Sequence, residues 1–328
     1  MSTSPAAIEW PASPLAVELV VEAELGAEVY GPRLAFAPQG DRWAASSSGV
    51  VELFLGSHHE ARIVVGGSTH DLAFSPDGRL LLASPQLYDL VTASWQELPP
   101  LFPAVGRGPA PPFQTQVSTF SPGAELLLVY ARFQPRRQGG PSTVQPSRRL
   151  LLLDGRTRRL RATFWEGDDP ARHFSALALA GRFAAAACED VWVWELASGR
   201  ELLRLKAHAG YVQQLRFARE AALLLSAGLD GRVNLWDTRS WQTVATWSAH
   251  PARADAVALH PLRPLLVTGS RDGELKLWQL HPAPRLLQTA PQPGPIEGVT
   301  FSADGRLLAV AVGGARGKLL LLRVEHRP

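Results

Sequence analysis

Residues 224–237 read LLSAGLDGRVNLWD, and residues 266–279 read LVTGSRDGELKLWQ. The two stretches match at an offset of 42 residues (266 − 224), and the match extends upstream of both. His208, Ser226, Asp230 and Trp236 recur as His250, Thr268, Asp272 and Trp278, all at the same offset. Each copy runs an apolar strand into Asp-Gly and then alternates apolar and polar residues up to its Trp, which is the pattern of two strands joined by a tight turn. The Gly supplies the positive φ that such a turn needs, and the Asp can hold the turn's own N–H groups.

A period of about 40–45 residues, with a His early and a Trp late, is the mark of propeller blades of the WD40 type. The chain resembles the WD40 family over roughly residues 15–324, most closely in the two copies quoted. The resemblance implies blades of four antiparallel strands, a to d from the centre outward. It also implies a structural role for the quartets His208, Ser226, Asp230, Trp236 and His250, Thr268, Asp272, Trp278: a hydrogen-bonded chain from the b–c turn Asp through the His and the Ser or Thr to the Trp. A buried indole N–H needs an acceptor, and each polar member satisfies the next. His, Ser and Asp also invite a catalytic triad. A set that occurs twice at equal spacing argues for a structural device instead.

Seven short apolar runs qualify as inner strands, ending at Phe36, Phe74, Phe120, Leu179, Phe217, Leu259 and Phe301. Four are followed by variants of one turn: FAPQG, FSPDG, FSPG and FSADG. The last blade then lacks an outer strand. LAVELVVEAEL, residues 15–25, alternates as a half-buried strand and is expected to close the ring as that strand, which removes an exposed sheet edge. The expectation is an all-β, seven-bladed propeller of the WD40 type closed by its N-terminal strand, with a flexible tail at residues 1–14 and a single domain at 15–328. Two long spacings between markers locate insertions, a Pro-rich one at 98–113 and an Arg-rich one at 132–149.

The composition is that of an ordinary globular chain: 328 residues, 46% hydrophobic and 19% charged, with a net charge of +3. That balance is too mild for a nucleic-acid face, which wants clustered positive charge. A single cysteine, Cys188, excludes an internal disulfide and reads as a core residue. No apolar run is long enough to span a membrane, and the N-terminus lacks the features of a secretory signal, so a cytoplasmic location is expected. The abundance of Ala, Arg, Leu, Pro and Gly beside three lysines and one asparagine suggests a GC-rich and hence bacterial source. No motif asks for a cofactor. GGARGK at 313–318 lacks the spacing and the Ser or Thr of a phosphate loop and reads as a hairpin turn. His58, His59 and Glu60 read as a solvated c–d loop and not as metal ligands.

Function is therefore expected at a surface, as a non-enzymatic scaffold or adaptor that binds another protein or a peptide through its top face, where the d–a and b–c loops emerge. The resemblance places contact residues three and five positions after each quartet His and one before each turn Asp. Here these are Tyr211, Gln213 and Leu229 in blade five, and Arg253, Asp255 and Arg271 in blade six. His70, Gln116, His173 and Glu297 align with the same rim. Both insertions fall on this face, beside the d–a loop at 165–172, and Arg136 and Arg137 within them offer planar donors for carboxylate or phosphate. Two rivals remain open. One is a propeller hydrolase using channel-mouth acids, with Asp255, Glu297 and Asp71 as candidates. The other is a phosphate or nucleic-acid binder acting through the 132–149 loop.

Overall fold

The computed structural model describes the chain except residues 1–15, 27–32, 48, 66–71, 76, 84–85, 98–112, 122–125, 134–147, 156, 170–171, 219–221, 282, 315–316 and 328. Among the described residues, 28 strands form seven four-stranded sheets, each fully antiparallel. Six sheets run in chain order from the inner strand outward. The seventh orders its strands as Ala16–Gly26, Lys318–Arg327, Leu307–Val312 and Ile296–Phe301, so the N-terminal strand supplies its outer edge. The molecule is a seven-bladed β-propeller closed between its two ends. The expected tail at residues 1–14 lies outside the described residues.

Inner strands end where the apolar markers predict: Arg33–Phe36, Leu72–Phe74, Phe113–Phe120 and Ile296–Phe301 stop on their phenylalanines. The turns that follow repeat one device. Ser302 Oγ donates to Asp304 Oδ1 at 2.7 Å and accepts from Leu307 N at 2.9 Å, while Asp304 Oδ1 also accepts from Arg306 N at 3.0 Å. Ser75 and Asp77 make the same arrangement with Leu80 and Arg79. Where blade six has His260 in place of the Ser, its Nδ1 accepts from Leu262 N and Arg263 N, each at 3.1 Å.

No blade can bury both faces alone, so the core is a ring of interfaces between neighbours. Trp43 and Phe54 of blade one pack with Leu307, Leu319 and Leu321 of blade seven, which is the contact that completes the circle. Blade four shows how volume is matched across a ladder. Its second strand is Phe183–Ala187, and Ala184 and Ala186 lie opposite Trp194 and Trp192. Alanine on one strand leaves room for indoles on the next, and Phe174 then meets both indoles edge-on at 6.1 and 5.6 Å.

Several sequence boundaries move. Arg132 and Phe133 end the strand Leu126–Phe133, and Arg148 and Arg149 begin the strand Arg148–Asp154, so the arginines at both ends of the Arg-rich insertion belong to the sheet. Trp165 and Glu166 likewise extend the outer strand Leu160–Gly167 instead of opening a loop. His58 and His59 begin the outer strand His58–Val64, where His59 Nε2 lies 2.7 Å from Glu52 and Glu60 pairs with Arg42 at 2.8 Å. Ladder pairing carried these strands past the polar residues at which a local reading ends them. Lys318 also begins a strand, after a turn in which Gly317 N donates to Gly314 O at 3.0 Å.

Candidate functional site

The top face is organised by two polar chains, one in each of the repeated blades. In blade five His208 is enclosed, with its side chain fully buried. Its Nδ1 lies 2.9 Å from Asp230 Oδ1 and its Nε2 lies 2.9 Å from Ser226 Oγ. Since a carboxylate only accepts, Nδ1 carries the hydrogen and Nε2 accepts from the serine hydroxyl. Trp236 Nε1 then donates to Ser226 Oγ at 3.4 Å. Asp230 also accepts from the backbone N–H groups of Ala209 and Arg232, both at 3.1 Å. Burial works against its charge, and these bonds outweigh burial, holding the carboxyl below its ordinary range. The result is a d–a loop pinned to the b–c turn.

Blade six builds the same chain and does not close it. His250 Nε2 lies 2.8 Å from Thr268 Oγ1, to which Trp278 Nε1 donates at 2.9 Å. His250 Nδ1, however, is buried and has no hydrogen-bond partner. Asp272 spends Oδ1 on the Glu274 N–H at 2.9 Å. The fourth link expected from the repeat, Asp272 to His250, is therefore missing. Two aligned positions differ beside the chain: Ala209, whose N–H donates to Asp230 Oδ2 at 3.1 Å, is Pro251 in blade six, which has no N–H to offer Asp272, and Asn234 is Lys276. Blade five has Asn234, whose Nδ2 donates to Ala207 O at 2.6 Å; blade six has Lys276, whose Nζ donates to Ala249 O at 3.2 Å and pairs with Glu274 at 2.6 Å. An ammonium beside the imidazole replaces a neutral amide.

His250, Asp272 and Glu274 bring donor atoms within 4.8 Å of one another, a spacing a metal could use. Lys276 already pairs with Glu274 there at 2.6 Å, so one of the two carboxylates is neutralised by a side chain of the same strand. His250 is held down to about 4, first by burial and then by Lys276. The sign of the consequence follows. Above pH ~6.5 the ring is neutral in both states and contributes no pH dependence. As pH falls, the unfolded chain takes up the proton first, so stability declines from about pH 6.5 towards 4, by roughly 3 kcal/mol at the limit. Urea titrations across that range should show the decline in the wild type and a flatter profile in His250→Gln. Parallel profiles would remove His250 as the cause.

Around these chains lie the predicted contact residues. Tyr211 is 43% exposed, yet its carbonyl is fixed by the Leu229 N–H at 3.0 Å, so an outward aromatic stands on an ordered backbone. Arg271 is exposed, while Arg253 and Leu229 are half-buried. Arg253 is committed to Asp255 at 2.8 Å. Gln213 lines the central channel. That channel encloses about 580 Å³ and is walled by all seven inner strands. Arg33, His173, Gln213 and Glu297 line its polar end, and Phe36, Phe74, Phe120 and Phe217 the other. Arg136, Arg137, His70, Asp71 and the Gln116 side chain lie outside the described residues. Sequence reading missed Arg33 and Arg216 in the channel wall, whose signal is only an inner-strand position.

Comparison with known proteins agrees with this geometry. The family model described as "WD domain, G-beta repeat" matches residues 199–237 and 241–279, the blades that carry the two polar chains. Eukaryotic translation initiation factor 3 subunit I of Scheffersomyces stipitis is 29% identical over 38% of the chain and 36% of its own length. The protein of that name from Neurospora crassa is 29% identical over 37% of the chain and 36% of its length. Centriole proteome protein 16 of Chlamydomonas reinhardtii is 33% identical over 42% of the chain but only 7% of its own length. The chain thus aligns with about a third of the initiation-factor subunits. These relatives are fungal and algal and lend no support to the bacterial source suggested by composition.

Proposed function

We propose that this seven-bladed WD40 propeller is a non-enzymatic scaffold subunit, cytoplasmic, that holds a partner protein or peptide on its top face. The observation that carries the reading is the rim of blades five and six: exposed Tyr211 stands on a loop tied down by the His208 chain, and exposed Arg271 on a turn held by Ser270, which accepts from Asp272 N at 3.3 Å and Gly273 N at 3.2 Å. Tyr and Arg dominate interface energetics, and a prefixed backbone lowers the entropy lost on binding. The initiation-factor relatives are named as a subunit of a larger factor, in keeping with such a role. A hydrolase would need free acids converging on the channel. Asp255 is bound by Arg253, and Glu297 is also engaged.

A tagged pull-down from the native host tests the proposal. Wild type should recover a partner that Tyr211→Ala with Arg253→Ala loses by at least about tenfold, with unchanged thermal unfolding. A partner retained by that double variant, and also after deletion of residues 134–147, would move the interface away from this face.

A further inference from the structure

Blade three carries two arginines on neighbouring strands at its upper end. Arg132 and Arg148 are cross-strand partners, so their side chains leave the same face of the sheet. It is the face of Tyr130 and Leu150, which packs on Phe174 at the start of blade four. Like charges opposed across a ladder repel. Among the described residues neither guanidinium has an ion-pair partner, and Arg148 Nε is buried without a hydrogen bond. The acids of this corner are committed elsewhere: Glu166 pairs with Arg149 at 2.9 Å, and Arg172 holds Glu201 at 2.9 Å and Asp169 at 4.0 Å. His173 stands edge-on to Tyr130 at 6.2 Å. Burial first, and then Arg148 and Arg132, keep its ring towards the neutral form, which leaves it a neutral donor in the same corner.

The geometry points to a binding site here for a phosphoryl dianion, carried on a phosphorylated side chain of a partner protein. Two guanidinium forks and one dianion reach neutrality, and each fork presents paired N–H donors that match phosphoryl oxygens. A carboxylate would leave one positive charge uncompensated. A nucleic-acid backbone fits less well, because the basic patch is one strand pair wide. Glu166, opposite Arg149 on the next strand and paired with it, bounds the patch on that side. The source of the phosphoryl group rests on the scaffold reading above; the anion site itself does not.

Thermal unfolding of the full chain in inorganic phosphate, against chloride at equal ionic strength, reads the site. Wild type should gain several degrees, and Arg132→Gln and Arg148→Gln should lose that gain while matching wild type in chloride. Arg148→Lys, which keeps the charge and loses the fork, should retain part of it. Equal gains in all four proteins overturn the site. Fluorescence anisotropy reads the source, using a Gly-Ser peptide with one phosphoserine, its unphosphorylated twin and a short single-stranded RNA. The phosphopeptide should bind roughly tenfold tighter than its twin, and only through the two arginines. Arginine-dependent binding of the RNA alone would overturn the protein source. The Tyr211, Arg253 variant should keep the phosphate gain, so failure of the rim reading is separable from failure of this one.

Discussion

A chain lacking residues 1–26 is expected to give no cooperative unfolding transition and to elute as aggregate. Strand Ala16–Gly26 pairs along its whole length with Lys318–Arg327, from Ala16 opposite Arg327 to Gly26 opposite Lys318. Its Leu19 is 8% exposed, inside the cluster that joins blades six and seven. Leu19 also donates its N–H to Gln288 Oε1 at 2.8 Å and accepts from Gln288 Nε2 at 3.4 Å, which ties the closing strand to blade six as well. Removing it would uncover the ladder edge of Lys318–Arg327, including the run Leu319–Leu320–Leu321–Leu322. Ladder hydrogen bonds contribute about 1 kcal/mol each. Losing a ladder of this length, together with a buried leucine, is comparable to the ~5–15 kcal/mol that holds a domain folded. An apolar unpaired edge is also a template for other chains. Size-exclusion chromatography and guanidinium titration read both effects, and a synthetic peptide of residues 15–27 should restore monomer. A truncated chain that stays monomeric, with an unchanged midpoint, would show that the ring is closed by something else.

The second large effect is expected from Gly231→Ala, with Gly40→Ala as its control. Both glycines have positive φ, +71° and +70°. At Gly40 an added Cβ meets nothing, so the cost is the left-handed backbone alone, about 1–2 kcal/mol. At Gly231 the Cβ would press into the carbonyl oxygens of His250 and Ala252. These are backbone atoms that cannot swing aside. The Gly231 carbonyl also accepts from the N–H groups of Ala249 at 2.9 Å and His250 at 3.1 Å, so retreat breaks the bonds that tie the blade-five turn to the loop entering blade six. Adding those bonds puts the loss above about 3 kcal/mol. Paired denaturant titrations decide it. Equal losses at the two positions would mean that the backbone approach at Gly231 carries no energy.

Much of the architecture was legible because its signals are local. The phenylalanine markers, the Asp-Gly turns and the alternation of residues 15–25 each report the conformation of their own few residues. Local conformation sets strand register within a blade. Seven markers led to seven sheets, and an unpartnered N-terminal strand led to the closure. The contact residues were legible only as positions. Tyr211 is 43% exposed, Gln213, two residues on, lines the channel, and Arg253 is held by Asp255; no local pattern in the chain separates these three environments.

What the sequence by itself determined, then, is the number of blades, their order and the place where the ring closes, since each follows from patterns a few residues long. Only the tertiary structure decided which polar groups meet. Identical spacing gives His208 its Asp230 and leaves His250 Nδ1 without Asp272, in a blade that has Pro251 and Lys276 where the other has Ala209 and Asn234. Arg132 and Arg148 stand 16 residues apart in a stretch that reads as loop, and become neighbours only when two strands pair. A hydrogen bond or ion pair depends on the charge and burial supplied by residues far away in the chain, and those are assembled only when the blades pack.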